Sequence, residues 1–260
     1  MLFFFLIFIK SFDSSYCEPP FPEYVTIKDA DLIQVQLITR HGARTPLHIS
    51  KTLSNRWSCS HTELRSINNE TGNPIHVTNS YGKSIFLGNC QFGQLVHNGK
   101  IGLVKLGKYM RSVYINKLKF LPNKFNPILM RFRSTNSLRT LHSQMELAKS
   151  LYPDIETIQI HTADKQYDPW RRTSSVCPKL KDAIAKLSTS LEYQNLGLDD
   201  DNNITAKMVK IFGVNWEHTN DAATSARCEG FPLPLNISHE EIDRAVSLKA
   251  RQRQFIFSHE

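Results

Sequence analysis

An apolar run, Leu32-Ile33-Gln34-Val35-Gln36-Leu37-Ile38, leads directly into Arg40-His41-Gly42-Ala43-Arg44-Thr45-Pro46, and this junction constrains the fold more than any other feature of the chain. The partial alternation predicts a buried strand, and Gly42 and Pro46 end it and open a loop. A second junction has the same form. Pro127-Ile128-Leu129-Met130-Arg131-Phe132 predicts a strand closed by Arg133-Ser134-Thr135-Asn136. Leu138, Leu141, Met145, Ala148 and Leu151 then share a helical face until Pro153 stops the helix. Each strand thus places an arginine at its C-terminal end. In open α/β sheets ligands bind outside those ends, so the two loops are expected to converge on one site.

The spacing elsewhere is mostly helical. Leu103, Leu106, Met110, Val113 and Tyr114 recur at helical intervals, with Asn98 as a candidate cap and Pro122 beyond the end. Residues 47–92, rich in Asn, Ser, Thr and Gly, are expected to form a surface insertion. Helices are predicted from Cys177 to Leu191 and from Glu240 to Phe255, the latter capped by Asn236 or Ser238. The expectation is an α/β protein whose mainly parallel central sheet is flanked by helices and carries a helical cap, C-terminally incomplete. The core spans 25–155 with the 47–92 insertion inside it, and the cap spans 156–260.

Charge and cysteines narrow the setting. The formal charge is +8, but no acidic residue occurs between Glu70 and Glu146, a stretch that holds 11 Lys and Arg. Such a field suits an anionic partner, and a solvated basic face is the plainer reading. The apolar Met1–Ile9 is too short to span a bilayer and fits a signal peptide covering 1–17. The chain would meet a membrane only if that leader stayed uncleaved. Asn69, Asn203 and Asn236 head N-x-Ser/Thr acceptors, which agrees with the secretory route to the cell exterior, a lysosome or the Golgi lumen. The five cysteines have no C-x-x-C spacing, which leaves zinc or thioredoxin chemistry without support. Cys59 and Cys90 are a candidate staple across the insertion, and the odd count leaves one cysteine over.

The chemistry lies in the first loop. Guanidinium groups match the oxygens of a phosphoryl group with paired, charge-assisted hydrogen bonds. Arg40 and Arg44 flank His41, so they would present a nucleophilic imidazole to a phosphate held by its oxygens. Their charge also disfavours imidazolium. Arg133 would supply a third clamp. His142 falls on the polar side of its helix, a solvated position, while His97 reads as a surface or capping residue. Trp57, Trp170 and Trp216 read as packing residues.

Arg40 to Pro46 resembles the signature of the histidine acid phosphatases, a branch of the histidine phosphatase superfamily. Gly93-Gln94-Leu95-x-x-x-Gly99 is similar to that family's helix-opening segment, and Arg133-Ser134-Thr135-x-x-x-Arg139-Thr140 is similar to its second phosphate-binding loop. The Cys59–Cys90 insertion, Leu121-Pro122 and Cys177-Pro178 look most like the 2-phosphoxylose phosphatase subgroup, which acts on glycan linkers. The resemblance implies phosphomonoester hydrolysis with His41 as the nucleophile that becomes phosphohistidine. Arg40, Arg44 and Arg133 would bind the phosphate of a small molecule or glycan, and no metal or other cofactor would be needed. Covalent catalysis would split the hydrolysis into two transfers.

The family's downstream His-Asp motif, which supplies the proton for the leaving group, has no clear match before Glu260, and the chain is expected to be a fragment. His259-Glu260 imitates the motif, making Glu260 a candidate proton donor. The alternative is a pseudoenzyme that binds phosphate or an anionic glycan without turnover. The basic stretch lacks a recognised nucleic-acid-binding motif or aromatic stacking array, so no nucleic-acid partner is expected.

Overall fold

A computed structural model of the chain describes residues 17–18, 20–59, 63–67, 74–78, 85–170, 177–196 and 201–258. The insertion carries an antiparallel hairpin, β1 (Glu63–Ile67) and β2 (Pro74–Thr78), in register from Glu63 opposite Thr78 to Ile67 opposite Pro74. Helix α1 (His97–Met110) continues into a π-helical turn, Arg111–Lys117. Then come β3 (Phe132–Arg133), α2 (Leu138–Leu151) and β4 (Ile160–His161). The C-terminal part is helical: α3 (Pro178–Ser188), α4 (Leu191–Asn195), α5 (Asp201–Phe212), α6 (Trp216–Cys228) and α7 (His239–Ser258).

The α1–α2 pair is the frame of the site. The helices cross closely because small residues meet there: a Cβ on Gly107 would lie 2.1 Å from Ser150 Oγ and 2.5 Å from the Leu147 carbonyl. Ser150 turns its hydroxyl onto the Glu146 carbonyl at 2.7 Å and leaves no unpaired group in the contact. Arg111 Nη1 donates to the last carbonyl of α2, that of Leu151, at 2.9 Å, as suits a cation at a helix C-terminus. Met110, Ile115, Leu151 and Tyr152 form the core below, with Val35, Phe125 and Met130 packed against them.

A second core joins α5, α6 and α7 through Met208, Phe212, Ala222, Ala226, Ile242 and Leu248, with Leu53 added from the insertion. Ser238 caps α7 as expected: Glu241 N donates to its hydroxyl at 3.1 Å while Ser238 N donates to the Glu241 carboxylate at 2.9 Å. Two disulfides are present, Cys59–Cys90 and Cys17–Cys228, and Cys177 is unpaired and exposed.

Several expectations are corrected. Residues 32–38 form no strand, and Ile33 and Ile38 are 89% and 74% exposed. Among the described residues no strand lies beside them to accept a ladder, and a strand without a partner leaves its backbone to water. The second predicted strand shrinks to Phe132–Arg133, because Asn126 Oδ1 accepts from Ile128 N at 2.9 Å and turns the chain. The parallel sheet seen is therefore small, with Phe132 opposite Ile160 and Arg133 opposite His161. The insertion is not all surface, since its Trp57, Cys59, Phe86 and Cys90 make a buried cluster with Val96. Asn98 does not cap α1. The N-cap is Val96, and Asn98 instead donates to Glu229 at 3.2 Å. His142 is 3% exposed rather than solvated. Trp57 and Trp216 pack as expected, whereas Trp170 is half-exposed.

Candidate active site

The loop after Ile38 is held by the segment that opens α1. Ala43 O accepts from Val96 N at 3.1 Å, Thr45 N donates to Gln94 O at 3.0 Å, and Gly93 N donates to Pro46 O at 3.1 Å. Thr45, fully buried, also donates its hydroxyl to Gln91 O at 2.5 Å. Two glycines allow this approach: a Cβ on Gly42 would lie 2.4 Å from Gly99 O, and one on Gly99 would lie 2.1 Å from Ala43 O. From the other side α2 fixes the loop, Gly42 N donating to Ser143 Oγ at 3.1 Å. The loop therefore has little freedom.

His41 Nδ1 lies 2.8 Å from the carbonyl oxygen of Gly42. A carbonyl can only accept, so Nδ1 carries the proton and Nε2 keeps its lone pair. Burial, together with the charges of Arg40, Arg44 and Arg139, lowers the imidazole pKa to about 4, against the opposing bond to Gly42. His41 is thus a neutral imidazole, unprotonated at Nε2, well into mild acid.

The arginines divide. Arg40 is exposed and Arg44 is buried. Arg44 Nη2 and Nη1 donate to the two carboxylate oxygens of Asp221 at 2.6 and 3.2 Å. Arg139, in the first turn of α2, brings Nη1 to within 3.3 Å of where a Cβ on Gly93 would lie, close to the Arg44 side chain. Arg133 stands apart from this group: Nη2 donates to the fully buried Asp168 at 2.7 Å, and its guanidinium lies over the Trp170 ring at 4.9 Å. The charges acting on His41 include Arg139 and do not include Arg133.

Sequence reasoning missed Arg139 as a site residue, although it lies in the same motif, six positions after Arg133. The signal was its place in the first turn of a helix that starts at the loop. Asp221 had no local signal, being 177 positions from Arg44. Glu260, Asn69 and Met1–Ile9 lie outside the described residues. Asn203 and Asn236 are exposed. Among the described residues no three His, Cys, Asp or Glu side chains are grouped to hold a metal, and no helix is long and apolar enough to cross a membrane.

Comparison with known proteins gives these features a family. Residues 31–228 match the family described as the histidine phosphatase superfamily (branch 2). The chain is 28% identical over 268 residues to Counting factor 60 of Dictyostelium discoideum, covering 94% of this chain and 64% of that protein. It is 27% identical over 241 residues to a probable acid phosphatase of the same organism, covering 84% of this chain and 47% of that one. The phytase of Citrobacter braakii has the same fold, with a TM-score of 0.51 at 16% identity over 83% of this chain and 58% of the phytase. The chain thus spans about half to two thirds of the length of these relatives. With the family match covering three quarters of its residues and the α/β architecture in common, the chain belongs to branch 2 of the histidine phosphatase superfamily.

Proposed function

We propose that the chain carries the phosphate-handling half of a phosphomonoesterase that works through a phosphohistidine on His41. The observation behind this reading is the state of His41: Nδ1 tied to Gly42 O, Nε2 open, and a pKa of about 4 in the field of three arginines. Nε2 attacks phosphorus, the P–O ester bond breaks, and the leaving oxygen departs with the electron pair and takes its proton from solvent. Water then attacks phosphorus, the P–N bond breaks with its electron pair returning to Nε2, and inorganic phosphate and neutral imidazole are released. Developing charge on the phosphoryl oxygens is met by fixed guanidiniums, which need no reorganisation during the transfer. In this reading Arg40, Arg44 and Arg139 are the clamp nearest the nucleophile. Arg133, called for the same role from sequence, acts from the rim, where it stacks on Trp170.

The leaving group needs a proton, and no described residue is assigned to give it. An aryl phosphate, whose leaving group is stable as the anion, should therefore turn over faster than an alkyl phosphate. The substrate class is a phosphorylated small molecule or glycan, with no metal required. Two disulfides and exposed acceptors at Asn203 and Asn236 support a secretory-pathway setting for the protein.

The test is rapid mixing with radiolabelled p-nitrophenyl phosphate and an alkaline quench, followed by mapping of the labelled peptide. Label that survives alkali, is lost in acid and lies on His41 is the expected result, and His41→Ala should remove both label and turnover. Turnover that persists in His41→Ala would refute the mechanism. Tight phosphate binding with neither label nor turnover would favour a non-catalytic phosphate binder.

A further inference from the structure

The geometry points to Asp221 as a positioning residue that presents one edge of the Arg44 guanidinium to phosphate; this rests on the phosphate-site reading above and deepens it. Arg44 has five N–H bonds in a fixed plane. Asp221 takes the end-on pair, Nη1 and Nη2, at 3.2 and 2.6 Å, and Nη1 also donates to Thr45 O at 2.8 Å. What remains is the side-on pair, Nε–H and the outer hydrogen of Nη2, which lie parallel and suit two oxygens of one phosphate. Nε is buried and without a partner, a state that calls for an explanation in a group this costly to leave unpaired. A ligand oxygen supplies one.

Asp221 is itself held. Its Oδ2 accepts from Leu47 N at 2.8 Å, so the carboxylate ties Arg44 to the backbone just beyond the motif. Burial would raise its pKa, but the Arg44 hydrogen bonds and charge, the Leu47 bond and the more distant Arg40 outweigh that and keep it ionised. One turn earlier on α6, His218 stacks on His48 with ring centroids 3.6 Å apart. Helix α6 therefore meets the loop twice, but only Asp221 touches the arginine. With Asp221 removed, the guanidinium loses the anchor that sets its plane, and the Nε edge is no longer aimed.

The experiment measures affinity for inorganic phosphate and orthovanadate in the full chain for Asp221→Asn, Arg44→Ala, the double variant and His218→Ala, with a melting temperature for each. Asp221→Asn should weaken both anions about 10- to 100-fold, and the double variant should bind no worse than Arg44→Ala alone. His218→Ala should stay within about twofold of wild type, since it loosens α6 without touching Arg44. Should Asp221→Asn fail to fold, Asp221→Ser keeps an acceptor for Leu47 N, removes the charge from Arg44, and carries the same expectation. Additive losses in the double variant would overturn the assignment, as would unchanged affinity in Asp221→Asn or an equal loss in His218→Ala. If the wild type binds neither anion, the phosphate-site reading itself falls, and this assignment with it.

Discussion

Glu229 offers a test of the packing that is independent of catalysis. It lies at the C-terminal end of α6, next to Cys228, which is bonded to Cys17. One carboxylate oxygen accepts from Asn98 Nδ2 at 3.2 Å, while the other is buried with no partner. Burial raises its pKa from 4.5 to about 7, and the Asn98 donor offsets only part of this. The folded protein thus prefers the neutral acid. Its stabilising contribution is full below pH 4.5, declines as the pH rises, and is gone above about 7. At about 1.4 kcal/mol per pH unit, a fully enclosed carboxyl would lose about 3 kcal/mol over that window. Solvent reaches part of this side chain, so a loss on the order of 1–2 kcal/mol is expected.

The variant is Glu229→Gln, which keeps the acceptor for Asn98 and removes the titration. Urea unfolding at intervals from pH 4.5 to 8 would give the stability difference between variant and wild type. Comparing the two matters because His41 acts in the opposite sense: its lowered pKa favours folding fully above 6.5 and is lost as the pH falls towards 4. The two slopes partly cancel in wild type, and only the difference isolates Glu229. The variant should gain on wild type by about 1–2 kcal/mol between pH 4.5 and 7 and change little above. A pH-independent difference would show that Glu229 titrates normally and is not desolvated at the end of α6.

Three further outcomes follow from the geometry. The acid limb of kcat/KM for an aryl phosphate should fall near pH 4, where His41 becomes protonated; a limb near 6.5 would mean that burial and the neighbouring arginines do not act on it. Gly99→Ala would place a methyl 2.1 Å from Ala43 O and 2.6 Å from Ala43 N, both backbone atoms, so a loss of about 2–3 kcal/mol in denaturant unfolding is expected, and a neutral result would refute the close packing of α1 on the loop. Cys17→Ser paired with Cys228→Ser opens a loop of 211 residues, and chain entropy sets the loss at up to about 5 kcal/mol; an unchanged melting temperature would refute the bond.

The parts of this fold that were legible from sequence are the ones made by local contacts. Helix α2 runs from Leu138 to Leu151 as the spacing and Pro153 predict, because its hydrogen bonds close within four residues. Its buried side was less legible. The predicted stripe begins at Leu138, which is 40% exposed, while His142, Ser143, Glu146 and Leu147 are buried. The reason is the partner helix: Gly107 brings α1 against Ser150 and the Leu147 carbonyl of α2, so the contact follows a small residue and the backbone and not the predicted apolar stripe. Residues 32–38 failed for a related reason, since a strand is a property of two segments and the alternation describes only one. The core around Trp57 was not legible because the surrounding composition is polar, although the indole itself was expected to pack and lies in one cluster with the Cys59–Cys90 bond.

The site shows the same division at the level of charge. The first motif specifies Arg40, His41 and Arg44 within five residues, and a phosphate-binding purpose can be read from those alone. It does not specify the balance. Three guanidiniums around one imidazole, one of them buried, would be costly to assemble without a carboxylate, and the sequence near the motif offers none. Asp221 supplies it from α6, so helix packing, not the loop, decides whether Arg44 is tolerated in the interior. One carboxylate against three arginines leaves two net positive charges beside a neutral His41, the complement of a phosphate dianion. Asp168, fully buried, pairs with Arg133 in the same way, at 2.7 Å. Two arginines of similar motif context are thus each balanced by a carboxylate that lies far away in sequence. The net charge around His41 is set by the acids the fold brings in, as much as by the arginines the motif contains.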